Sequence, residues 1–194
     1  MSATEPLELF REWYGSARAC EAIVDASAMA LATADLAGRP SVRMVLLKQY
    51  DEHGFVFYTN LQSPKGQQLK ENPQAELCFH WAPLKKQLRI HGMVVSVAEE
   101  EADDYFKTRP RLSQLGAWAS EQSRPMPHRY SLETAVARVA AGFGTTEVSR
   151  PPHWSGFRVV PDEMEFWTER PFRHHDRLSF VRVGDGWEKR WLFP

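Results

Sequence analysis

The sequence is poor in cysteine and has no long apolar run. Its only two cysteines, Cys20 and Cys78, form neither a CxxC pair nor a zinc-ligand spacing. Two reduced, buried thiols are the simpler interpretation, which is typical of a cytoplasmic protein. No apolar stretch approaches the ~20 residues of a membrane-spanning helix. The segment "MSATEPLELFREWYG" lacks the basic-then-apolar order of a secretion signal. A cytoplasmic location without membrane contact is therefore expected.

Net charge is also nearly absent. Lys and Arg number 24 against 25 Asp and Glu, which gives a formal net charge of −1 over 194 residues. No overall field draws the chain to nucleic acid, so any anion must be bound by a local cluster of cations. The 43% apolar and 25% charged residues are ordinary for a globular protein. This length suits a single domain spanning residues 1–194.

The apolar patterns that are present predict strands in the centre and helices at the periphery. Helical spacing predicts a helix over residues 6–20, and start signals predict further helices over residues 63–69, 99–109, 111–120 and 131–143. Strand patterns cover residues 28–35, 41–50, 55–60, 74–81, 86–98, 157–169, 177–183 and 187–193. Short strands joined by tight turns favour an antiparallel sheet or barrel. The predicted fold class is therefore mainly β, a barrel with peripheral helices.

Two cations flank an apolar run in "RMVLLK", residues 43–48. A strand this apolar is usually buried, and a buried cation requires an anionic partner. Arg43 and Lys48 are five positions apart, so a regular strand would point them to opposite faces. They could serve one ligand through a bulge, or two anions on different sides. The alternative, which the spacing alone favours, is a pair of end-of-strand charges that reach water.

The segment "YTNLQSPKGQQL" predicts a strand followed by the start of a helix. Ser63 is a good N-cap and Pro64 suits the first helical position. Lys65 then lies in the first turn, where a cation opposes the helix dipole. A phosphate bound to the free N–H groups would remove that penalty. An exposed lysine with a small energetic cost is the equal alternative.

A third pattern is "YFKTRPRLSQLGAWASEQS". Tyr105 and Arg109 are four apart and share a helix face, and Pro110 then turns the chain. With Ser113 at the next helix start, these groups could hold a second phosphate. The alternative is a core aromatic residue beside a solvated arginine. The loop residues Gln122 and Ser123 suit a heterocycle or simply a turn.

The fourth pattern, "RHHDR" at residues 173–177, is polar within a region of strand character. Read as a strand, it places Arg173, His175 and Arg177 on one face. Consecutive His and Asp residues diverge, and the arginines repel a divalent cation, so no metal is expected. A solvated edge strand is one interpretation. Trp167, six residues earlier, favours a flat anionic ligand instead.

Taken in order, these motifs resemble those of the pyridoxamine 5′-phosphate oxidase family. The resemblance runs from about Phe10 to Pro194 and also includes "PPHWSGFRVVPDEMEFW" and "WEKRWLFP". It implies a split β-barrel homodimer that binds FMN at the dimer interface. It further implies oxidation of pyridoxamine or pyridoxine 5′-phosphate to pyridoxal 5′-phosphate, with O₂ as acceptor and release of H₂O₂.

The resemblance also assigns roles to single residues. FMN contacts are expected from Arg43, Met44, Val45, Leu46, Leu47, Lys48, Tyr58, Thr59, Lys65, Gln87, Gln122, Ser123, Trp167 and Arg177. Substrate contacts are expected from Lys48, Tyr105, Arg109, Ser113, Arg173 and His175, of which Arg173 and His175 are the expected catalytic pair. Arg43 and Lys48 thus serve different ligands.

Two positions depart from the family pattern, and two other functions compete. Pro64 replaces a second basic residue, and His174 replaces an apolar one. A related flavin oxidase of phenazine biosynthesis would keep the FMN residues but lose part of the substrate-phosphate set. A non-catalytic protein that binds FMN, haem or pyridoxal phosphate would not need both Arg173 and His175.

Overall fold

A nine-stranded antiparallel sheet dominates the structure. The computed structural model describes residues 5–194. Its strands are β1 (Ala28–Ala34), β2 (Pro40–Leu46), β3 (Gln49–Asp51), β4 (Gly54–Asn60), β5 (Gln74–Trp81), β6 (Lys86–Ser96), β7 (Trp154–Thr168), β8 (Asp176–Val183) and β9 (Gly186–Trp191). The strand order is β2-β1-β5-β6-β7-β4-β3, with β8 beside β7 and β9 beside β8. The sheet curls into a half-barrel, so the mainly β prediction is confirmed.

Five helices surround the sheet in the described part of the chain. They are α1 (Glu5–Ala19), α2 (Pro64–Glu71), α3 (Glu99–Thr108), α4 (Arg111–Ala119) and α5 (Ser131–Phe143). Each lies within about two residues of a helix predicted from the sequence. None of the helices described between residues 5 and 194 is long and apolar enough to cross a membrane.

The main core fills the inside of the curled sheet, and α1 covers it. Phe10 of α1 is fully buried and meets Tyr50 and Phe55 edge-on, at ring-centroid distances of 4.8 and 4.9 Å. Burial of a side chain of this size contributes about 1.5–3 kcal/mol. The periodic apolar residues of the predicted helix therefore form its buried face.

A smaller core joins α3, α4 and α5 to the first residues of β7. Its buried members are Phe106, Leu115, Val148 and Trp154. Gln114 of α4 links this helix to α3, because its Nε2 donates to the carbonyl oxygen of Phe106 at 3.0 Å. This cluster fixes α3 and α4 beside the end of β4.

Two strand predictions are wrong. The strand predicted over residues 41–50 is two strands, β2 and β3, and Lys48 lies in the link between them. Arg43 and Lys48 therefore do not share a regular strand. The strand reading of residues 173–175 also fails, because β8 begins only at Asp176 and a 3₁₀ turn covers Pro171–Arg173.

Candidate active site

Arg43 projects from β2 toward α2. Its Nη1 donates to the carbonyl oxygen of Leu31 at 3.1 Å and to the hydroxyl of Thr33 at 2.6 Å. Its Nη2 lies 3.4 Å from Oε1 of Gln68, a buried residue of α2 that also accepts from Thr33 at 2.6 Å. Burial lowers the pKa of the Arg43 guanidinium. A chain of neutral oxygens thus fixes this arginine.

The start of α2 has the cap that the sequence predicts. Ser63 is the N-cap, and its hydroxyl accepts from the backbone N–H of Gly66 at 3.4 Å. Pro64 occupies the first turn, where its missing N–H costs nothing. The cap therefore places Lys65 in the first turn, facing the end of β4.

Lys65 lies at the centre of a polar cluster. Its Nζ donates to Gln122 Oε1 at 2.7 Å, to the hydroxyl of Thr59 at 3.2 Å and to that of Ser63 at 3.3 Å. Burial, with a smaller contribution from the charge of Arg43, lowers the pKa of Lys65 to about 8. The structure thus brings together four of the predicted FMN contacts: Arg43, Thr59, Lys65 and Gln122.

These cations fit a phosphate group. Within residues 5–194, neither Arg43 nor Lys65 forms an ion pair with a carboxylate. Two desolvated positive charges beside a helix start favour a dianion with several acceptor oxygens. The phosphate ester of FMN is such a group, so the residues present fit this cofactor.

A cleft of about 360 Å³ lies next to this cluster. Its lining includes Lys48, Tyr105, Arg109 and Ser113, all four of the residues predicted to hold the substrate phosphate. Arg109 caps the end of α3 and its guanidinium lies 4.7 Å from the ring centre of Trp154. Its Nη1 is buried and has no hydrogen-bond partner among residues 5–194. An anion in the cleft would satisfy that nitrogen.

Aromatic rings form one wall of the cleft. Tyr58 of β4 packs with its ring nearly parallel to those of Tyr105 and Trp154, with ring-centroid distances of 4.1 and 5.2 Å and interplanar angles of 12° and 5°. Burial, with the nearby charge of Glu101, raises the pKa of the Tyr58 phenol. Tyr105 also has a raised pKa because of burial. Both phenols therefore stay neutral donors near pH 7.

A second group of predicted residues forms a row across three strands. Gln87 of β6 pairs with Trp167 of β7, and Trp167 pairs with Arg177 of β8. Arg177 donates from Nε and Nη2 to the carboxylate of Glu165 at 2.8 and 3.0 Å, and from Nη1 to the carbonyl oxygen of Phe193 at 3.0 Å. Two of the five guanidinium N–H donors remain for a ligand.

Arg173 lies in the turn before β8, and the backbone angles of this turn differ from those of a strand. Phe172 and Arg173 both have left-handed backbone angles, φ 57° and 64°. Such residues cost about 1–3 kcal/mol each. Arg170 closes the turn through an ion pair with Asp176 at 2.6 Å. Because the backbone here is a turn, the side chains of Arg173 and its neighbours do not alternate between two faces as in a strand. Arg173 is exposed.

His175 follows the turn and contacts the indole of Trp167, with ring centroids 4.7 Å apart. Its Nδ1 accepts from the backbone N–H of Arg170 at 3.2 Å. His174 is exposed. His175 therefore lies beside the row that Gln87, Trp167 and Arg177 form.

The two groups lie at opposite ends of β7. Residues of β4 near Thr59 pair with Ser155 and Gly156, whereas Trp167 lies near the other end of the same strand. Twelve residues of strand separate Ser155 from Trp167, which is a contour length of about 40 Å along β7. The Lys65 group and the Trp167 group are therefore held by opposite ends of this strand.

The remaining predicted contacts are on or near β2 and in the loop after α4. Met44 and Leu46 are exposed on the outer face of β2, Val45 packs against the core and Leu47 is buried. Ser123 is exposed with a positive φ of 71°. These residues adjoin Arg43, Lys48 and Gln122 along the chain.

Three residues that shape the site are absent from the sequence predictions. Trp154 begins β7 and packs against the guanidinium of Arg109. Gln68 holds Arg43, and Glu165 holds Arg177. The tryptophan beside the prolines of "PPHW" is the one signal in the sequence that could have indicated any of them.

Comparison with known proteins gives consistent matches over the whole chain. Residues 17–141 match the family model described as pyridoxamine 5′-phosphate oxidase. Residues 154–194 match the model described as the pyridoxine 5′-phosphate oxidase C-terminal dimerisation region. The pyridoxine/pyridoxamine 5′-phosphate oxidase of Maricaulis maris is 57% identical, covering 98% of this chain and 86% of that protein. The protein of the same name from a Bradyrhizobium strain is 54% identical, covering 99% and 89%.

Solved structures give the same fold. PhzG from Burkholderia lata, in complex with tetrahydrophenazine-1-carboxylic acid, is 32% identical with a TM-score of 0.91, covering 97% of this chain and 92% of that one. A pyridoxamine 5′-phosphate oxidase-related, FMN-binding protein from Nostoc punctiforme is 17% identical with a TM-score of 0.76, covering 95% and 97%. The second likeness concerns the fold alone.

Proposed function

The chain belongs to the pyridoxamine 5′-phosphate oxidase family, and we propose on that premise that it is an FMN-dependent oxidase acting on pyridoxamine and pyridoxine 5′-phosphate. The product is pyridoxal 5′-phosphate, O₂ is the acceptor and H₂O₂ is released. With the amine substrate, water completes the conversion and ammonia leaves. Lys65, Arg43 and the start of α2 hold the FMN phosphate.

The observation that carries this proposal is the unpartnered guanidinium nitrogen of Arg109. It faces a cleft that also contains Lys48, Tyr105 and Ser113. Two cations and two hydroxyls suit a phosphate ester, because each supplies a donor to an acceptor oxygen. The cleft thus holds the substrate phosphate and fixes the rest of the molecule, which is catalysis by orientation.

FMN, when bound, supplies the hydride acceptor and passes the electrons to O₂. The chain contributes position and polarity. Arg173 and His175 orient the amine or alcohol of the substrate and assist proton removal, because an imidazole nitrogen can accept or donate a hydrogen bond. Trp167 and Gln87 flank the cofactor on the same side.

These residues come from the second copy of the chain. The Lys65 group and the Trp167 group lie at opposite ends of β7, and a homodimer completes each site by joining the Lys65 group of one copy to the Trp167 group of the other. The match of residues 154–194 to a dimerisation region supports this arrangement. Each dimer has two equivalent sites, one at each contact between the groups.

The phenazine-type oxidase is the competing function, because PhzG is a relative of similar architecture. Its ligand, tetrahydrophenazine-1-carboxylic acid, carries a carboxylate and no phosphate. The full set of phosphate donors around Arg109 favours a phosphorylated substrate here.

The test is a visible spectrum of the FMN-loaded protein before and after anaerobic addition of pyridoxamine 5′-phosphate. We expect the yellow flavin absorbance to bleach and to return with H₂O₂ when air is admitted. Protein that stays yellow with this substrate would contradict the proposal. Bleaching by a reduced phenazine carboxylic acid alone would favour the competing function.

A further inference from the structure

The first turns of α3 are acidic, because five of its first six residues are Glu99, Glu100, Glu101, Asp103 and Asp104. Acidic residues at the start of a helix are favourable because they complement the helix dipole. This effect does not require them to form ion pairs with basic side chains. In the structure, three of these five carboxylates bind arginines that come from outside α3. We call these ion pairs tethers, because each one attaches α3 to an arginine elsewhere in the fold.

Arg150 holds one flank of α3. Its guanidinium forms ion pairs with Glu99 and with Asp103, the latter at 2.6 Å. Its Nη1 donates to the carbonyl oxygen of Trp154 at 2.7 Å. The side chain of Arg150 is only 9% exposed, so its contacts are fixed by packing. Arg150 thus joins α3 to the residue whose ring lies under Arg109.

Arg158 holds the other flank. This β7 residue pairs with Glu101 at 3.0 Å and with Asp51 at 2.6 Å, and its side chain is 14% exposed. Asp51 ends β3, three residues after Lys48. Arg158 therefore connects the two segments that bear the phosphate-binding groups of the cleft, the link containing Lys48 and the helix containing Tyr105.

The two flanks lie on either side of the buried stripe of α3. Ala102 and Phe106 form that stripe. At 3.6 residues per turn, Glu101 lies on one side of it and Asp103 on the other. Tethers on both sides prevent rotation of the helix about its axis, whereas a tether on one side would not.

We propose that Arg150 and Arg158 are positioning residues, which lock the rotation of α3 so that Tyr105 and Arg109 meet the substrate phosphate. The proposal rests on the function proposed above. A helix with its side chains has a radius of about 5–6 Å. A rotation of about 10° therefore moves a side chain by about 1 Å, and a misplacement of that size can cost about a hundredfold in rate.

The experiment compares the affinity of FMN-loaded protein for pyridoxal 5′-phosphate with its affinity for pyridoxal, which lacks the phosphate. We expect Arg158→Met and Arg150→Met to weaken binding of the phosphorylated ligand by at least about tenfold. Binding of pyridoxal should change less than about twofold, because these tethers do not touch the ring side of the site. Arg158→Lys should recover part of the loss.

Glu101→Gln is the second variant, for the case in which removal of a buried arginine prevents folding. It breaks the ion pair between Glu101 and Arg158 and keeps the one between Arg158 and Asp51. Glu100→Gln is its matched control, since Glu100 is exposed on the same helix and has no ion pair among the described residues. We expect the control to match wild type with both ligands.

Two results would overturn the positioning role. One is an equal loss of affinity for both ligands in Glu101→Gln and Arg158→Met, which would indicate general loosening of the fold. The other is no change for either ligand. Wild-type protein that binds pyridoxal and its phosphate equally would contradict the proposed function itself, and that failure is visible before any variant is made.

Discussion

Lys65 is a half-buried cation that is repelled by a second cation, Arg43. Its hydrogen-bond partners are neutral oxygens of Thr59, Ser63 and Gln122. Burial and the neighbouring charge disfavour its protonated form, which is why its pKa falls to about 8. A bound phosphate reverses this effect, because the dianion stabilises the ammonium. The charged form of Lys65 is thus unfavourable in the protein without an anion and is stabilised when a phosphate binds beside it.

We therefore predict that affinity for FMN falls as the pH rises above about 8. Below that pH the lysine is already charged. Above it, binding must first add a proton, so the dissociation constant should increase by up to about tenfold per pH unit. Titration of the apoprotein with FMN between pH 7 and 9.5, followed by flavin fluorescence, measures this slope.

Lys65→Arg is the control, because a guanidinium stays charged over this range. Its affinity should be independent of pH above 8. An equal slope in this variant and in wild type would assign the titration to another group. Lys65→Ala should retain FMN poorly at every pH.

At the scale of elements, the position of α2 depends on a close approach of its first turn to the end of β4. A Cβ atom built on Gly66 would lie 2.5 Å from the carbonyl oxygen of Leu61 and 2.7 Å from its carbonyl carbon. These are backbone atoms, which cannot rotate away. Glycine is therefore needed for the helix to hold Lys65 against Thr59.

Gly66→Ala should displace the start of α2. We expect a loss of about 1–3 kcal/mol in the free energy of unfolding, as for other overpacked sites, together with weaker FMN retention. Urea denaturation and the flavin content of purified protein provide the two measurements.

Gly142→Ala is the matched control, since nothing lies within 4 Å of a Cβ atom at this helical position. It should stabilise the protein by about 0.5–1 kcal/mol, as alanine favours a helix over glycine. Normal flavin content in Gly66→Ala would show that the close packing does not position Lys65.

At the scale of the whole molecule, β7 separates the two halves of the site. Its first residues pair with β4 beside the cleft, and its last residues pair with β8 beside His175. Exposed apolar residues on β2, Val42 and Met44, offer a surface that a second copy can cover. A shared site predicts that defects in different halves complement each other.

Arg109→Ala and Arg173→Ala should each be nearly inactive as homodimers. A heterodimer of the two variants contains one site with both defects and one intact site. It should therefore show about half of the wild-type turnover with pyridoxamine 5′-phosphate. Co-expression with two different affinity tags and sequential purification isolates this species.

The double variant, with both substitutions in one chain, is the negative control when paired with itself. If the heterodimer is as inactive as its parents, each site is built within one chain and the proposed dimer is wrong.

The sequence by itself determined the local features. Helical spacing and helix start signals located all five described helices, the Ser63 and Pro64 pair predicted the start of α2, and the four-residue spacing placed Tyr105 and Arg109 together. These features follow from interactions within about one helical turn, which neighbouring residues encode directly. The resemblance to a known family then supplied ligands for them.

Only the tertiary structure decided which distant residues meet. Arg150 and Arg158 bind acids 47 to 107 positions away, and the register of three strands places Gln87, Trp167 and Arg177 in one row. The left-handed turn at Arg173 likewise departs from what local alternation predicts. Such pairings depend on strand order and on the packing of α3 against β7, and periodicity within a single segment carries no information about either.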